Sequence, residues 1–418
     1  MHARRLTSAP VVLCVIGTLG VLALAACSGN DTSASTATPA SGITSAATSA
    51  ATESSTPTDE ALPSVPADLP TRAPDGTIYP AQAWASGNPR ALGFDPQRME
   101  AIARAARPSQ TTCLLVARKG QVVGEWNRGG VDADTPREVF SVTKSITSTL
   151  VGMAEADGDL AIADRASSYI HEWRGTRSST VTVRDLLSNV SGRFWELGSD
   201  YADLPQAEDR TQYAVDLRQQ YPPGKVWAYN NAAIQTLDRV ISTATGEPTR
   251  DFAAERLFGP IGMAHTQMTA DPAGNTNTFF GAQTTCRDLA RFGYLFLNQG
   301  RWGDEQVVPR SWVRAAVGQP SQSHNAAYGL LWWLNRRGPI IGPLATDGPG
   351  QPTPPAGRAM PGLSASAFAA QGLGGQTVLV DPESETVVVR LGQFQASPEA
   401  TYNGQDAARF ITEALVDP

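Results

Sequence analysis

The chain has 418 residues, 41% of them hydrophobic, and a formal net charge of -7, so it can bury one large core or two associated lobes and is not a disordered polymer. With 33 basic against 40 acidic residues and no basic run able to neutralise successive phosphates, the composition argues against nucleic acid as the main partner. A small or neutral ligand suits it better.

Arg4 and Arg5 precede the apolar run VVLCVIGTLGVLALAAC, which ends at Cys27 and is too short and wrongly flanked for a stable transmembrane helix. Residues 1–27 therefore read as an export signal. Leu24-Ala25-Ala26-Cys27 resembles the lipobox of bacterial lipoproteins, which implies a diacylated Cys27 as the mature N-terminus and a membrane tether through that lipid; a plain signal peptide is the alternative. Residues 28–78, rich in Ser, Thr, Ala and Pro, offer little to bury and are expected to form a disordered tether. The folded part is placed at 79–418. Of the four cysteines, Cys113 and Cys286 fall there, either as a disulfide, which export would permit, or as two buried thiols.

In chain order, GFDPQRMEAIARAAR opens with Asp95 as a cap and Pro96 at the first helical position, and its apolar residues Met99, Ile102 and Ala105 repeat every three. TTCLLVAR and QVVGEW, joined by Lys119-Gly120, read as a β-hairpin. The middle of the chain carries helical spacing with Gly or Pro stops in SVTKSITSTLVGMAEADGDL, TVRDLLSNVSG, NNAAIQTLDRVISTATGE, TRDFAAERLFGPIGM and CRDLARFGYLFLNQG. Strand patterns return at YGLLWWLN, SASAFAAQ and QTVLVDPESETVVVRLG, before a last helix in NGQDAARFITEALV. Strands at both ends with helices between them predict an α+β fold. In it, residues 79–140 and 325–418 pair into an antiparallel sheet flanked by helices, and residues 141–324 form an inserted, mostly helical lobe across a cleft.

Ser141 and Lys144 lie three apart at the head of the first central helix, on one face, where hydroxyl and amine can meet. The unpaired N–H groups and positive dipole of a helix start favour an alkoxide-like oxygen there. The same field and partial burial lower a lysine towards the neutral amine that can accept a proton. Lys119, Lys144 and Lys225 are the only lysines; all other basic residues are arginine, which stays protonated in proteins. The bland alternative is a helix with a serine near its cap and a surface lysine.

PPGKVWAYNNAAI sets Tyr229 and Asn231 just before a helix, where the phenol can relay a proton and the amide can bind a substrate carbonyl. Read alone, it is equally a capped helix start. Trp195, Trp332 and Trp333 are candidates to line an apolar cleft or to fill core. No Gly-x-Ser-x-Gly elbow and no His-based metal spacing is present, so neither a metal nor another cofactor is called for.

SVTK, LLSNVSG, PPGKVWAYNN, GPIGM, CRDLARFG and GLGGQ, in this order, resemble the serine β-lactamase and penicillin-binding-protein superfamily. The similarity is to its class C-like branch, which includes 6-aminohexanoate-dimer hydrolases and β-lactamase-fold esterases. The resemblance runs from about Gly93 to the C-terminus and implies the β-lactamase-like fold, with Ser141 as acylated nucleophile, Lys144 as its base partner and Tyr229 as third catalytic group. It implies a small-molecule or short-peptide ester or amide as substrate. The family's Lys-Thr-Gly strand has only QGLGGQTVLV as counterpart, which makes Gly374, Gly375 and Gln376 the candidates beside the oxyanion and argues against a penicillin-type carboxylate. The leading expectation is an exported serine hydrolase of esters or amides. The alternatives are a D-Ala-D-Ala peptidase or β-lactamase, and a non-catalytic binder of cell-wall fragments on the same fold.

Overall fold

The structure, a computed structural model, describes residues 62–130, 132–394 and 402–417. The export signal, Cys27 and the first part of the expected tether lie outside them. No helix among the described residues is long and apolar enough to cross a membrane.

The elements the site depends on are, in chain order, β1 (Ala85–Ser86), α1 (Pro96–Ala105), β2 (Thr111–Arg118), β3 (Gln121–Asn127), β4 (Arg137–Glu138), α2 (Val142–Asp157), α3 (Val183–Leu187), α4 (Asn231–Thr245), β5 (Gln267–Met268), β6 (Ala282–Thr284), α5 (Cys286–Leu297), α6 (Arg310–Val317), β7 (Trp333–Leu334), β8 (Phe368–Gly372), β9 (Gln376–Asp381), β10 (Thr386–Gly392) and α7 (Gly404–Arg409). The two chain ends interleave in one seven-stranded sheet of order β1-β3-β2-β10-β9-β8-β7. Every neighbouring pair is antiparallel except the short edge pair β1 and β3, which is parallel.

Side chains alternate between two buried faces, as a strand's two-residue period requires. Leu115, Ala117, Val378, Val380, Val387 and Val389 enter the large core shared with the helical lobe, while Leu114, Val116, Leu379 and Val388 meet α1 and the C-terminal helix. The first helix starts where the sequence places it, with the Asp95 carboxylate accepting from Gln97 and Arg98 N–H and Pro96 in the first turn. Helix α5 lies close on the other face: a Cβ at Gly293 would stand 2.8 Å from a Val387 methyl, so only glycine permits that approach. Helix α2 is buried from Val142 to Ala154, which makes it the central rod between sheet and helical lobe.

Two expectations need correction. The disordered tether does not extend to residue 78: Leu69, Ala73 and Tyr79 are buried, Arg72 pairs with Ile78 in a bridge, and a Cβ on Gly303 would meet the Pro70 ring at 2.5 Å. Sparse but spaced apolar residues anchor a stretch whose average composition is that of a linker. YGLLWWLN forms strand only at Trp333–Leu334, because Leu331 adopts a left-handed φ of 59°. Its N–H is donated to the Leu187 carbonyl and its own carbonyl accepts from Ser145.

Cys113 on β2 and Cys286 at the start of α5 form a disulfide, with sulfurs 2.13 Å apart and a sequence separation of 173. Cross-linking so long a loop restricts the unfolded chain, and replacing both cysteines with alanine is expected to cost about 2–4 kcal/mol in denaturant unfolding. An unchanged midpoint and slope would contradict that role.

Candidate active site

The residue before Ser141 sets the geometry. Phe140 has φ 47°, a conformation costing a bulky residue about 1–3 kcal/mol, and it turns the chain from β4 into α2. Glu138 holds the turn: one carboxylate oxygen accepts from Phe140 N–H at 2.6 Å and Gly281 N–H at 3.0 Å, and the other accepts from the Gln283 side-chain amide at 3.0 Å. Burial pushes the Glu138 carboxyl up, against the pull of these backbone donors. Thr143 completes the clasp, donating to the Phe140 carbonyl at 2.6 Å and accepting from Ala282 N–H at 3.0 Å.

Ser141 thus stands as the cap residue of α2, its side chain making no capping bond, and Lys144 lies one turn on. The Lys144 Nζ is 2.8 Å from Ser141 Oγ and donates to the Phe279 carbonyl at 2.8 Å. Lys144 is 1% exposed, and this burial brings the amine down to about 7, although the negative charge of Asp200 pulls the other way. An amine at that value is largely uncharged just above neutrality and can take the serine proton.

Tyr229 lies against this pair. Its ring centroid lies 4.7 Å from Lys144 Nζ, and burial pushes its phenol well above the usual range. At neutral pH it is therefore the protonated phenol. Trp333 stacks on it with ring centres 5.9 Å apart, and the Trp195 indole donates to its backbone carbonyl at 3.0 Å.

Two side chains fix the segment that follows. Asn230, not Asn231, caps α4, its side chain accepting from Ala233 N–H at 2.7 Å. The buried Asp200 carboxylate accepts from Asn231 N–H at 3.0 Å and Ala232 N–H at 2.9 Å, at the positive end of the same helix. Burial raises Asp200 to about 6 in spite of these bonds. Asn231 is 4% exposed, and its side-chain oxygen is buried without a hydrogen-bond partner among the described residues. A polar cavity lined by Asn189, Ser191, Trp195, Gln220 and Thr346 lies beside this segment and includes neither Ser141 nor Lys144.

The glycine-rich element is placed differently from expectation. Gly372, the last residue of β8, is the glycine against the nucleophile: a Cβ there would be 2.2 Å from the Val139 carbonyl oxygen and 3.1 Å from Ser141 N. Gly374 and Gly375 form the following turn, where an added Cβ would meet Phe394 and the Tyr402 carbonyl respectively. The Gln376 amide is fully buried and braces the sheet, donating to the Gly392 carbonyl at 2.7 Å and accepting from Gly392 N–H at 2.9 Å. Backbone N–H groups at Ser141 and at the Gly372 end of β8 are therefore the better oxyanion candidates. Trp332 is core, packed on Phe292 and Phe296.

The ordered serine, lysine and tyrosine, the sheet built from both chain ends and the helical insertion define a class. The chain belongs to the Beta-lactamase family, whose profile matches residues 99–410. It is similar to a 6-aminohexanoate-dimer hydrolase of Paenarthrobacter ureafaciens, 22% identical over 356 residues that cover 76% of this chain and 83% of the relative. A D-aminopeptidase of Cereibacter sphaeroides is 28% identical over 172 residues, 37% of this chain and 32% of that one. The fold matches that of a β-lactamase/D-alanine carboxypeptidase from Pseudomonas syringae, with TM-score 0.55 and 19% identity over 78% of this chain and 99% of the other.

Glu138 and Asp200 were not among the residues singled out from sequence; Glu138 is half-buried and Asp200 buried, and apart from Phe140 N–H their backbone partners are distant in the chain. Glu138→Ala is expected to lower kcat/KM about 100-fold, through misplacement of Ser141 against Lys144. Glu138→Gln keeps an oxygen for the two N–H groups and should stay within about threefold. Equal losses in both variants would contradict the clasp.

Proposed function

We propose that this protein is a serine hydrolase that passes an acyl group from an ester or amide to Ser141 and then to water. The observation that carries this reading is the 2.8 Å contact between Ser141 Oγ and a buried lysine amine lowered to about 7. Neutral Lys144 takes the serine proton as Oγ attacks the carbonyl carbon. The resulting oxyanion sits against the N–H groups of Ser141 and the β8 end. Collapse breaks the bond to the leaving group, which receives its proton through Tyr229. Water then attacks the acyl-enzyme, giving its proton to the same pair and releasing the acid and the serine hydroxyl.

Ester and amide hydrolysis is favoured over penicillin-type chemistry by the cations near the strand. Arg390 is the guanidinium under the turn after β8, and it is bonded to Gly374 and Ser109 carbonyls and to Thr111. It is 0% exposed, so a substrate carboxylate in the cleft does not reach it. Export with a lipid anchor on Cys27 is part of the same reading, supported by the Cys113–Cys286 disulfide, a bond that persists outside reducing compartments.

A fluorophosphonate probe is expected to label the protein and to leave Ser141→Ala unlabelled; labelling of that variant would reject the assignment. The rate of labelling should rise with pH through about 7, because protonated Lys144 cannot accept the proton. A flat profile between pH 5 and 9 would exclude a titrating lysine base. Cys27→Ser should move the mature protein from the membrane fraction to the soluble one; unchanged partition would remove the lipid anchor from the account.

A further inference from the structure

Among the described residues, seven large hydrophobic side chains stand exposed: Leu62, Leu197, Tyr201, Leu344, Leu373, Phe394 and Val416. Two of them, from separate segments, lie beside the stretches that meet Ser141 and Phe140. Leu373, 51% exposed, directly follows Gly372, the residue pressed against Ser141 N. Phe394, 52% exposed, folds over the next turn, its Cα 3.1 Å from where a Cβ on Gly374 would stand. Its ring centre lies 6.3 Å from that of Phe140, the residue before Ser141, and the Glu138 clasp fixes the Phe140 backbone. On the other side of Tyr229, the Tyr201 hydroxyl donates to the Pro343 carbonyl at 3.1 Å, which brings the exposed Leu344 alongside.

Apolar surface kept in water next to a reactive hydroxyl marks a place for an apolar ligand group. The charges agree. Arg390, bonded to Gly374, Ser109 and Thr111, is 0% exposed, and the Lys144 amine, held by Ser141 and Phe279, is 1% exposed. A carboxylate at the end of an acyl chain would find neither available, and would be desolvated against Leu373 and Phe394 without a partner.

We propose that Phe140, Leu373 and Phe394 form a subsite for the acyl part of the substrate, and that the enzyme acts on esters or amides of uncharged acyl chains several carbons long. The inference rests on the reading of Ser141 as the acylated residue. Chain carbons beyond the reacting carbonyl lie along the Leu373 and Phe394 side chains, while the leaving group departs towards Tyr229.

The test uses the purified protein with nitrophenyl acetate, butyrate, octanoate and hemisuccinate. The kcat/KM is expected to rise about tenfold or more from acetate to octanoate, and to be about tenfold lower for hemisuccinate than for butyrate. In Leu373→Ser/Phe394→Ser the octanoate-to-acetate ratio should fall about tenfold, whereas Phe394→Leu keeps it. A flat wild-type series, a preference for hemisuccinate, or an unchanged ratio in the double variant would overturn the subsite while fluorophosphonate still labels Ser141. Loss of that labelling in the wild type would instead overturn the hydrolase reading, and the subsite with it. If the double variant fails to fold, the wild-type series and Phe394→Leu decide.

Discussion

A lysine amine in the middle of the protein is the constraint around which the rest is arranged. Burying a charged ammonium without a bonded carboxylate is costly, and the group responds by giving up its proton. Lys144 sits on a helix buried along most of its length, between the sheet and the helical lobe, with a carbonyl and a hydroxyl as its hydrogen-bond partners. Asp200 tempers the effect from a distance, and it is itself occupied by two backbone N–H groups at the head of α4. The same burial that destabilises the charged lysine makes it a base suited to neutral pH.

Precision in this site comes from backbone clasps more than from the catalytic side chains. Glu138 ties the left-handed Phe140 to the strand Ala282–Thr284 and, through Gly281, to the loop whose Phe279 carbonyl receives Lys144. Asn230 and Asp200 do the equivalent for the Tyr229 segment. Gly372 lets β8 approach the nucleophile as no other residue could. Three separate chain segments are thereby brought to one hydroxyl, and each is held by buried polar groups whose partners are distant in sequence.

That arrangement explains what was legible in the sequence. Local signals worked: Asp95 and Pro96 opened a helix, Lys119-Gly120 turned a hairpin, and the Ser141–Lys144 spacing placed both groups on one face. The ordered motifs carried the family, and the antiparallel sheet built from both chain ends followed. Signals that depend on a partner across the fold did not. Gly374, Gly375 and Gln376 were the candidates from sequence, whereas Gly372 is the glycine against Ser141, because the choice depends on which one Val139 and Ser141 approach. Glu138 looked like any surface glutamate, since Gly281 and Gln283 are far along the chain. Leu69 and Ala73 were too sparse to lift their segment above a linker's composition, although the fold supplies the surface they bury against.

The account stands on the protonation state of one amine, and the scarcity of lysine makes it directly observable. With Lys119, Lys144 and Lys225 as the only lysines, the protein labelled with carbon-13 at lysine Cε gives three resonances, assignable by single substitution. The Lys144 signal should titrate with a midpoint near 7 in the folded enzyme, while a midpoint near the ordinary lysine value of about 10.4 would contradict the account.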